Sequence, residues 1–282
     1  MMDAHVHLGR LVVEDTGLKP AQLLRWMDRY GIEKAIVMAV EVPEEVDFLV
    51  STEALLGLTK RYRDRLLPLC STDPRHRYPG RFEPYPILAE YVDRGCVGYG
   101  ENLCGLPVDH LMQQKVYEAC DKLGLALVMH FDHWINRDRQ GLSGFEKMLA
   151  RYPNVRFVGH AQNFWREISQ KVSPRVVYPR GAVVPGGRLD ELFRKYPNLY
   201  ADLSAQSGYN AITRDPEFGL AFLKRWKYRL MMGTDSLHTR AIPFCSIAGK
   251  APILDFLETA GLSARTFSQI TRRNAERVFR LS

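Results

Sequence analysis

Asp3, His5 and His7 occupy alternating positions at the start of the chain, in the stretch MDAHVHLG. Side chains at i and i+2 of an extended strand point to the same face, with Cα atoms about 6.6 Å apart. Two imidazoles placed in this way can reach one ion, because zinc–nitrogen bonds are about 2.0–2.1 Å long. A His-x-His motif alone is more often an ordinary surface or core pair, so the rest of the chain has to decide.

Four further residues of metal-binding types stand at the ends of short apolar runs. They are Glu101 after CVGYG, His130 after LALVM, His160 after VRFVG and Asp235 after RLMMGT. The carboxyl ends of parallel barrel strands meet at one rim, where catalytic residues of such barrels lie. We therefore predict one site at which these residues join the histidine pair around a divalent metal, most simply one zinc ion. A second ion, or another divalent metal, is the alternative.

The elements that must position these residues follow a repeating pattern. Amphipathic helical segments of about ten to seventeen residues alternate with short apolar runs, which is the pattern of βα units. Counting the first run, MDAHVH, the chain has eight strand-like runs. Two turn sequences, RYPNVRF (151–157) and KYPNLYA (195–201), are nearly identical and indicate equivalent corners of one barrel.

These observations predict an α/β fold, a (β/α)8 TIM barrel formed by a single domain over residues 1–282. No linker rich in Gly, Ser or Pro divides the chain. Helical segments are expected at 47–63 and 264–280, among others. The stretch 163–188 has no clear periodicity and follows a strand, so we expect it to form a loop over the site.

Composition narrows the choice of partners and compartment. Lys and Arg number 39 against 32 Asp and Glu, but they are dispersed, so we expect solvated helix faces and no nucleic-acid binding. The five cysteines form no Cys-x-x-Cys motif, which argues against a disulfide framework or a zinc knuckle and favours a reducing compartment. No signal peptide or long apolar run is visible. We expect a cytoplasmic protein with no membrane partner.

The motifs DAHVHLG, MHFD, GHAQ, MMGTDS and NAERVF together resemble the amidohydrolase superfamily. The resemblance covers the chain in order and is greatest to the amidohydrolase-related branch of metal-dependent hydrolases, dicarboxylate lactonases and aminocarboxymuconate-semialdehyde-type decarboxylases. It implies a divalent metal at the barrel mouth. His5 and His7 match the strand-1 ligands, His130 the strand-5 ligand and Asp235 the strand-8 carboxylate. His160 matches a strand-6 histidine that binds a second metal in some branches and acts in acid–base chemistry in others.

The sequence departs from the family pattern at strand 4. Members with two metals often carry a carboxylated lysine there, whereas this chain has Glu101 in VGYGENL. Glu101 is therefore expected as a metal ligand, or as a residue that positions water or substrate. A strand-4 glutamate also resembles the TatD-type nucleases, but those have a glutamate before the strand-8 Thr-Asp, where this chain has Gly233.

Three reaction classes follow from these residues. The first is hydrolysis of a small carbonyl compound, such as a lactone or an amide, in which Asp235 accepts a proton from the metal-activated water and His160 assists. The second is non-oxidative decarboxylation of an aromatic or enoic acid in the same site. The third is a TatD-type nuclease with two metals. A non-enzymatic barrel is disfavoured, because buried titratable clusters are costly without a partner.

Several residues on the predicted rim are candidates for binding the substrate. Trp134, Trp165 and Arg166 follow strands 5 and 6, and either line the pocket together with Glu101 or pack as ordinary loop residues. Arginine suits a carboxylate group, so a small anionic substrate is expected. Asp202 ends strand 7 and either supports a metal ligand or caps the strand. A homo-oligomer is compatible with the sequence.

Overall fold

The computed structural model describes residues 1–9, 17–76 and 81–281. Its eight strands alternate with helices along the chain. The strands are β1 (Met2–His7), β2 (Lys34–Met38), β3 (Leu66–Leu69), β4 (Tyr99–Asn102), β5 (Ala126–His130), β6 (Arg156–His160), β7 (Leu199–Asp202) and β8 (Leu230–Met231). All neighbouring strands pair in parallel, in the order β1-β2-β3 and β4-β5-β6-β7-β8.

Two parallel contacts join these groups of strands into a closed barrel. Val6 pairs with Ser236 just beyond β8, and the backbone N–H of Ala4 donates to the carbonyl of Met232 at 2.9 Å. On the other side, Cys70 pairs with Tyr99 and donates its N–H to the carbonyl of Gly98 at 3.0 Å. The chain therefore forms the (β/α)8 TIM barrel that its sequence predicts.

The helices cover the outside of the barrel. They are α1 (Pro20–Arg29), α2 (Thr52–Thr59), α3 (Pro84–Asp93), α4 (Leu111–Leu123), α5 (Ser143–Arg151), α6 (Gln162–Arg166), α7 (Arg188–Lys195), α8 (Ala205–Thr213), α9 (Pro216–Arg225), α10 (Pro252–Thr259), α11 (Ala264–Ser268) and α12 (Asn274–Val278). A 3-10 helix spans Pro43–Phe48, and a π-helical turn at Gln269–Arg273 joins α11 to α12.

Local sequence signals explain where several helices begin and end. α1, α3, α9 and α10 each have proline in the first turn, where its missing N–H is not needed. The Asp215 side chain accepts the N–H of Phe218 at the start of α9. α4 ends at Gly124, whose φ of 60° is the left-handed conformation that glycine adopts at helix ends.

The hydrophobic core has two layers. One fills the barrel interior with residues such as Ala4, Ile36 and Val128, and Val278 and Phe279 from the end of the chain close its lower end. The larger layer lies between the strands and the surrounding helices. Because both layers hold the strands rigidly, the side chains at the strand ends have fixed starting positions.

Three local expectations differ from the structure. The segment predicted as helical over 47–63 forms α2 only from Thr52, because the preceding residues form the 3-10 helix and an extended contact between Val40 and Val50. The expected loop over 163–188 begins inside α6. The closing helix predicted over 264–280 is interrupted by the π-helical turn.

Candidate metal centre

The predicted site residues meet at the carboxyl end of the barrel strands. His5 and His7 come from β1, Glu101 from β4 and His160 from β6, while Asp235 follows β8. The imidazoles of His5 and His7 and the carboxyl of Glu101 are buried, and the Asp235 side chain is 16% exposed. The cluster is thus closed on most sides, with Asp235 on its more open side.

Four donor atoms form a compact set. His5 Nε2 lies 3.2 Å from His7 Nε2 and 3.4 Å from Glu101 Oε2. His7 Nε2 lies 3.2 Å from the same Glu101 oxygen. Asp235 Oδ1 lies 3.4 Å from His5 Nε2 and 3.2 Å from His7 Nε2. One atom from each of the four residues therefore faces a common point.

The spacing of these atoms fits a small divalent cation. Ligands at about 2.0–2.1 Å in a tetrahedron lie about 3.3–3.4 Å from one another. The five measured donor separations, from 3.2 to 3.4 Å, match that figure. Two imidazoles and two carboxylates are also the donor types that zinc and similar ions take in proteins. The residues present therefore fit the implied metal.

Asp202, at the end of β7, orients two of the imidazoles. Its Oδ2 lies 3.1 Å from His5 Nδ1, and its Oδ1 lies 3.0 Å from His160 Nδ1. Ser204 Oγ lies 2.9 Å from the same His160 nitrogen. A carboxylate beside Nδ1 favours the tautomer with the proton on that nitrogen, so Nε2 keeps its lone pair for the site. The structure thus gives Asp202 the supporting position that the sequence offered as one of two interpretations.

Glu101 joins this donor set to a second one. Its other oxygen, Oε1, lies 2.9 Å from His130 Nδ1 and 3.7 Å from His160 Nε2. His130 Nε2 lies 3.3 Å from Asp132 Oδ2. His130 is therefore grouped with Glu101 and His160 rather than with the four atoms around His5 and His7. Its role as a metal ligand stays a prediction.

Opposite charges control the ionisation of the cluster. Burial alone would lower the pKa values of His5 and His7, but the neighbouring carboxylates outweigh it and raise both, that of His5 well above its usual range. Burial also opposes protonation of His130, whereas Asp132 and Glu101 raise its pKa to about 10. Burial would raise the pKa of Asp235, and the imidazoles instead lower it. The cluster therefore retains positive charge, as protons or as a cation.

The backbone around Asp235 is specialised for this position. Asp235 has a φ of 58°, and its N–H donates to the carbonyl of His5 at 2.8 Å. Two residues earlier, a Cβ at Gly233 would lie 3.0 Å from His5 Cβ and 3.2 Å from Ser204 Cβ. A side chain at position 233 would therefore press on His5 and Ser204, and glycine avoids this contact.

The three predicted substrate-binding residues outside the donor set lie in different surroundings. Trp134 is 76% exposed on the loop after β5. Trp165 is buried against Phe164 and Phe222, and its indole N–H donates to the carbonyl of Asp202 at 3.0 Å. Arg166 is buried beside it and donates to the carbonyl of Pro174 at 3.1 Å. The structure does not bring these three together with the donor atoms, and their substrate role stays a prediction.

Three residues of the site were not singled out from the sequence. Asp132 contacts His130, Ser204 contacts His160, and the Cys245 thiol donates to Asp235 Oδ2 at 3.5 Å. Asp132 and Ser204 each follow a strand-end residue by two positions, a spacing that could have drawn attention to them. Cys245 lies in a loop without periodicity, and nothing in the sequence indicates its contact.

Comparisons with known proteins agree with this architecture. The sequence model of the amidohydrolase family matches residues 94–281, about two thirds of the chain. The chain therefore belongs to the amidohydrolase family. No curated protein matches it significantly.

Solved structures share the fold at low sequence identity. An uncharacterised TIM-barrel protein from Bordetella bronchiseptica matches with a TM-score of 0.69 and 15% identity, over 99% of both chains. A protein described as a probable 2-pyrone-4,6-dicarboxylic acid hydrolase from Acinetobacter baumannii matches with a TM-score of 0.64 and 12% identity, over 99% of both chains. The 5-carboxyvanillate decarboxylase of Sphingomonas paucimobilis matches with a TM-score of 0.59 and 15% identity, over 100% of this chain and 99% of that one. Structural relatives of this barrel thus include both hydrolases and decarboxylases.

Within the described ranges, none of the helices combines the length and the apolar character needed to cross a bilayer.

Proposed function

We propose that this protein is a metal-dependent hydrolase of a small carbonyl compound, a lactone, an amide or a related compound with a C–O or C–N bond to break. The observation that carries the proposal is the set of four donor atoms, one each from His5, His7, Glu101 and Asp235, spaced 3.2–3.4 Å apart. Membership of the amidohydrolase family supports it.

Each residue has a role in this proposal. His5, His7, Glu101 and Asp235 would hold the ion, zinc in the first instance, and His130 is the predicted further ligand. A divalent cation bound there would polarise a substrate carbonyl and bring the pKa of a water molecule towards 7. Asp235 accepts the proton of the attacking water, because its carboxylate lies on the more open side of the cluster.

His160 is placed to complete the proton transfers. Its Nδ1 is held by Asp202 and Ser204, so its Nε2 faces the site, 3.9 Å from Asp235 Oδ2. An imidazole fixed at one nitrogen can donate or accept a proton at the other. His160 can therefore protonate the leaving group or stabilise the developing oxyanion.

The fixed position of His160 Nε2 also supports a second candidate, non-oxidative decarboxylation of an aromatic or enoic acid. That reaction needs a proton donor to the carbon that loses carbon dioxide, and His160 Nε2 is suitably fixed. The fold shared with a decarboxylase is compatible with it. A TatD-type nuclease has less support, because the space at Gly233 does not admit the glutamate of those enzymes without moving His5.

The partners follow from the same proposal. The substrate is a small anionic molecule. We propose no nucleic-acid partner, since several basic residues are paired with acids on the surface, for example Arg94 with Glu53 and Lys122 with Glu118. Salt-dependent binding to duplex DNA with a slope of several phosphate contacts would contradict this and favour the nuclease.

A cytoplasmic location and a homo-oligomeric state are also proposed. Cell fractionation tests the location, and sedimentation tests the oligomeric state.

The test compares metal content with two kinds of turnover. The purified protein is analysed for bound metal and assayed on lactones and amides for acid or amine release, and on aromatic acids for carbon dioxide release. Asp235→Asn should keep much of the metal and lose turnover by roughly 10²–10⁴-fold, because an amide cannot accept the proton. The double variant His5→Ala/His7→Ala should lose the metal itself.

Asp93→Asn is the matched control, because Asp93 is exposed at the end of α3, away from the strand ends. It should change neither metal content nor turnover. Near-native activity of Asp235→Asn would eliminate Asp235 as the general base, move that role to His160 and favour decarboxylation. A protein that binds no divalent metal at stoichiometric concentration would contradict the proposal as a whole.

A further inference from the structure

A narrow cavity lies outside the metal centre, between α6, α8 and the segment 177–179. Its walls include the polar side chains of Gln162, Arg166, Ser207, Asn210 and Arg214 and the ring of Trp165. Two hydrogen bonds hold the segment 177–179 against the helices. Asn210 donates to the carbonyl of Pro179 at 3.0 Å, and the Gln162 amide donates to the Tyr178 hydroxyl at 3.5 Å. The cavity is therefore a defined feature of the fold.

Two arginines give this cavity positive charge. Arg166 is only 7% exposed, and Arg214 is partly buried. Burial lowers the pKa of each guanidinium, and the neighbouring carboxylates of Glu167 and Asp215 offset this effect only in part. Among the residues that the structure describes, no carboxylate forms an ion pair with either guanidinium. Burying a charge without a direct ion pair is unfavourable, so an anion in the cavity would stabilise both guanidinium groups.

Unsatisfied polar atoms in the same walls point in the same direction. Arg166 Nε and Ser207 Oγ are buried without a hydrogen-bond partner, and both can donate. Gln162 Oε1 is also unpartnered, and its amide would have to turn to donate. Buried polar groups in proteins are nearly always satisfied, by protein, water or ligand, so the two donors Arg166 Nε and Ser207 Oγ are available to an acceptor that enters the cavity.

We propose that this cavity is a binding site for a small carboxylate. The N–H groups of a guanidinium match the two oxygens of a carboxylate, and the Ser207 hydroxyl adds a third donor. The space is small and has room for about one water-sized group. The cavity therefore accepts one carboxylate oxygen, of a free carboxylate or of the carboxylate end of a larger acid.

The cavity is separate from the metal centre. It shares no lining residue with the four donors. Trp165 connects the two sites, since it lines the cavity and donates to the carbonyl of Asp202. Binding can therefore be measured directly, without knowledge of the substrate.

The experiment uses formate, the smallest carboxylate, as the probe. Saturation-transfer NMR on the intact protein should show saturable binding, accompanied by a rise in Tm, because a ligand that binds only the folded state stabilises it. Arg166→Gln and Arg214→Gln should each weaken formate binding roughly tenfold or more, since each removes a charged donor. Both variants should remain folded, which the Tm measured without formate checks.

Two control variants separate the cavity from the rest of the protein surface. Arg175→Gln removes an exposed positive charge from the loop after α6 and should leave formate binding unchanged, which rules out general electrostatic attraction. His5→Ala/His7→Ala should also retain the binding, which excludes formate bound at the metal centre. Ser207→Ala supplies a smaller change should an arginine variant fail to fold, and should weaken binding by a lesser factor.

The outcomes are decisive. Absence of saturable formate binding, or binding of equal strength in the wild type, Arg166→Gln and Arg214→Gln, would overturn the proposal. Displacement of formate by benzoate would assign the site to the carboxylate of a larger acid. Retention of formate against benzoate, with displacement by acetate, would assign it to a free small acid.

Discussion

His5 Nδ1 lies 3.1 Å from Oδ2 of Asp202, a contact between residues 197 positions apart in the chain. Both side chains are fully buried. The carboxylate fixes the proton on Nδ1 and leaves Nε2 free to bind a cation. Control of the histidine tautomer therefore comes from β7, a strand that supplies no atom to the set of four donors.

Asp202→Asn should weaken metal binding about 10–100-fold, the range typical of lost carboxylate partners of metal-binding histidines. The new amide can donate to Nδ1 and so favours the tautomer with the proton on Nε2, where it blocks the lone pair. Competition with a chelator of known affinity measures the effect. Asp93→Asn should bind metal as the wild type does, and an unchanged affinity of Asp202→Asn would show that the tautomer is set by another group.

Metal binding should release protons in the neutral pH range. The pKa values of His5 and His7 are raised by carboxylates that outweigh the effect of burial, so the ion must displace protons from these imidazoles. Apparent affinity should therefore increase with pH. Calorimetric titration in two buffers of different ionisation enthalpy measures the number of protons released, and a value of zero at neutral pH would contradict this expectation.

The metal-free protein should show the corresponding dependence of stability on pH. A histidine with a raised pKa in the folded state stabilises that state fully below its unfolded pKa of about 6.5, and the contribution is lost as pH rises through the folded value. The Tm of the metal-free protein should therefore fall as the pH is raised above about 6.5. The metal-loaded protein should lack this fall, because the ion replaces the protons.

Arg75→Gln should lower the free energy of unfolding by about 3 kcal/mol, because it leaves a buried carboxylate without its charged partner. Arg75 donates to Asp73 Oδ1 at 2.8 Å and to Glu44 Oε1 at 2.7 Å, and Asp73 is fully buried. Arg94→Gln breaks an exposed pair with Glu53 and should have a far smaller effect. Denaturant unfolding of both variants makes the comparison, and equal losses would show that burial of Asp73 does not matter.

Two glycine-to-alanine variants should change stability in opposite directions. Gly57 is exposed inside α2 with no atom near a new Cβ, so Gly57→Ala should stabilise by about 0.5–1 kcal/mol. A Cβ at Gly159 in β6 would overlap the buried Phe164 ring, so Gly159→Ala should destabilise by about 1–3 kcal/mol. Thermal unfolding tests both. A stabilised Gly159→Ala would mean that the aromatic cluster has room to move.

The barrel and the strand-end positions of the site residues could be predicted because they depend on periodicity. Once the strands are parallel and closed, polar residues at their ends must meet at one rim. The separation of the donor atoms into one group around His5 and His7 and another around His130 could not be predicted in this way. His130 and His160 end neighbouring strands in the same register, yet which carboxylate each contacts depends on side-chain rotamers.

The side-chain contacts of residues that follow the strands were the hardest to predict, because they also depend on side-chain direction. Cys245 reaches Asp235 because its backbone adopts a φ of 58°, a conformation that no propensity for cysteine indicates. Trp165 follows β6 closely and is predicted to bind substrate, and α6 places its ring against Phe164 and Phe222, so that role stays a prediction. Sequence position places a residue near the rim, whereas the direction of its side chain depends on the packing of the following helix.

The closure of β1 on β8 has a consequence for the biosynthesis of the protein. Thr234 donates its N–H to Asp3 Oδ1 at 3.0 Å across 231 positions of the chain. The neighbouring backbone N–H, that of Asp235, donates to the carbonyl of His5. Contacts so distant in sequence form late in folding. During translation, His5 and His7 are synthesised first and remain without Asp235 until almost the whole polypeptide has emerged from the ribosome. The nascent protein therefore cannot assemble its complete donor set, and acquires it only after synthesis is nearly finished.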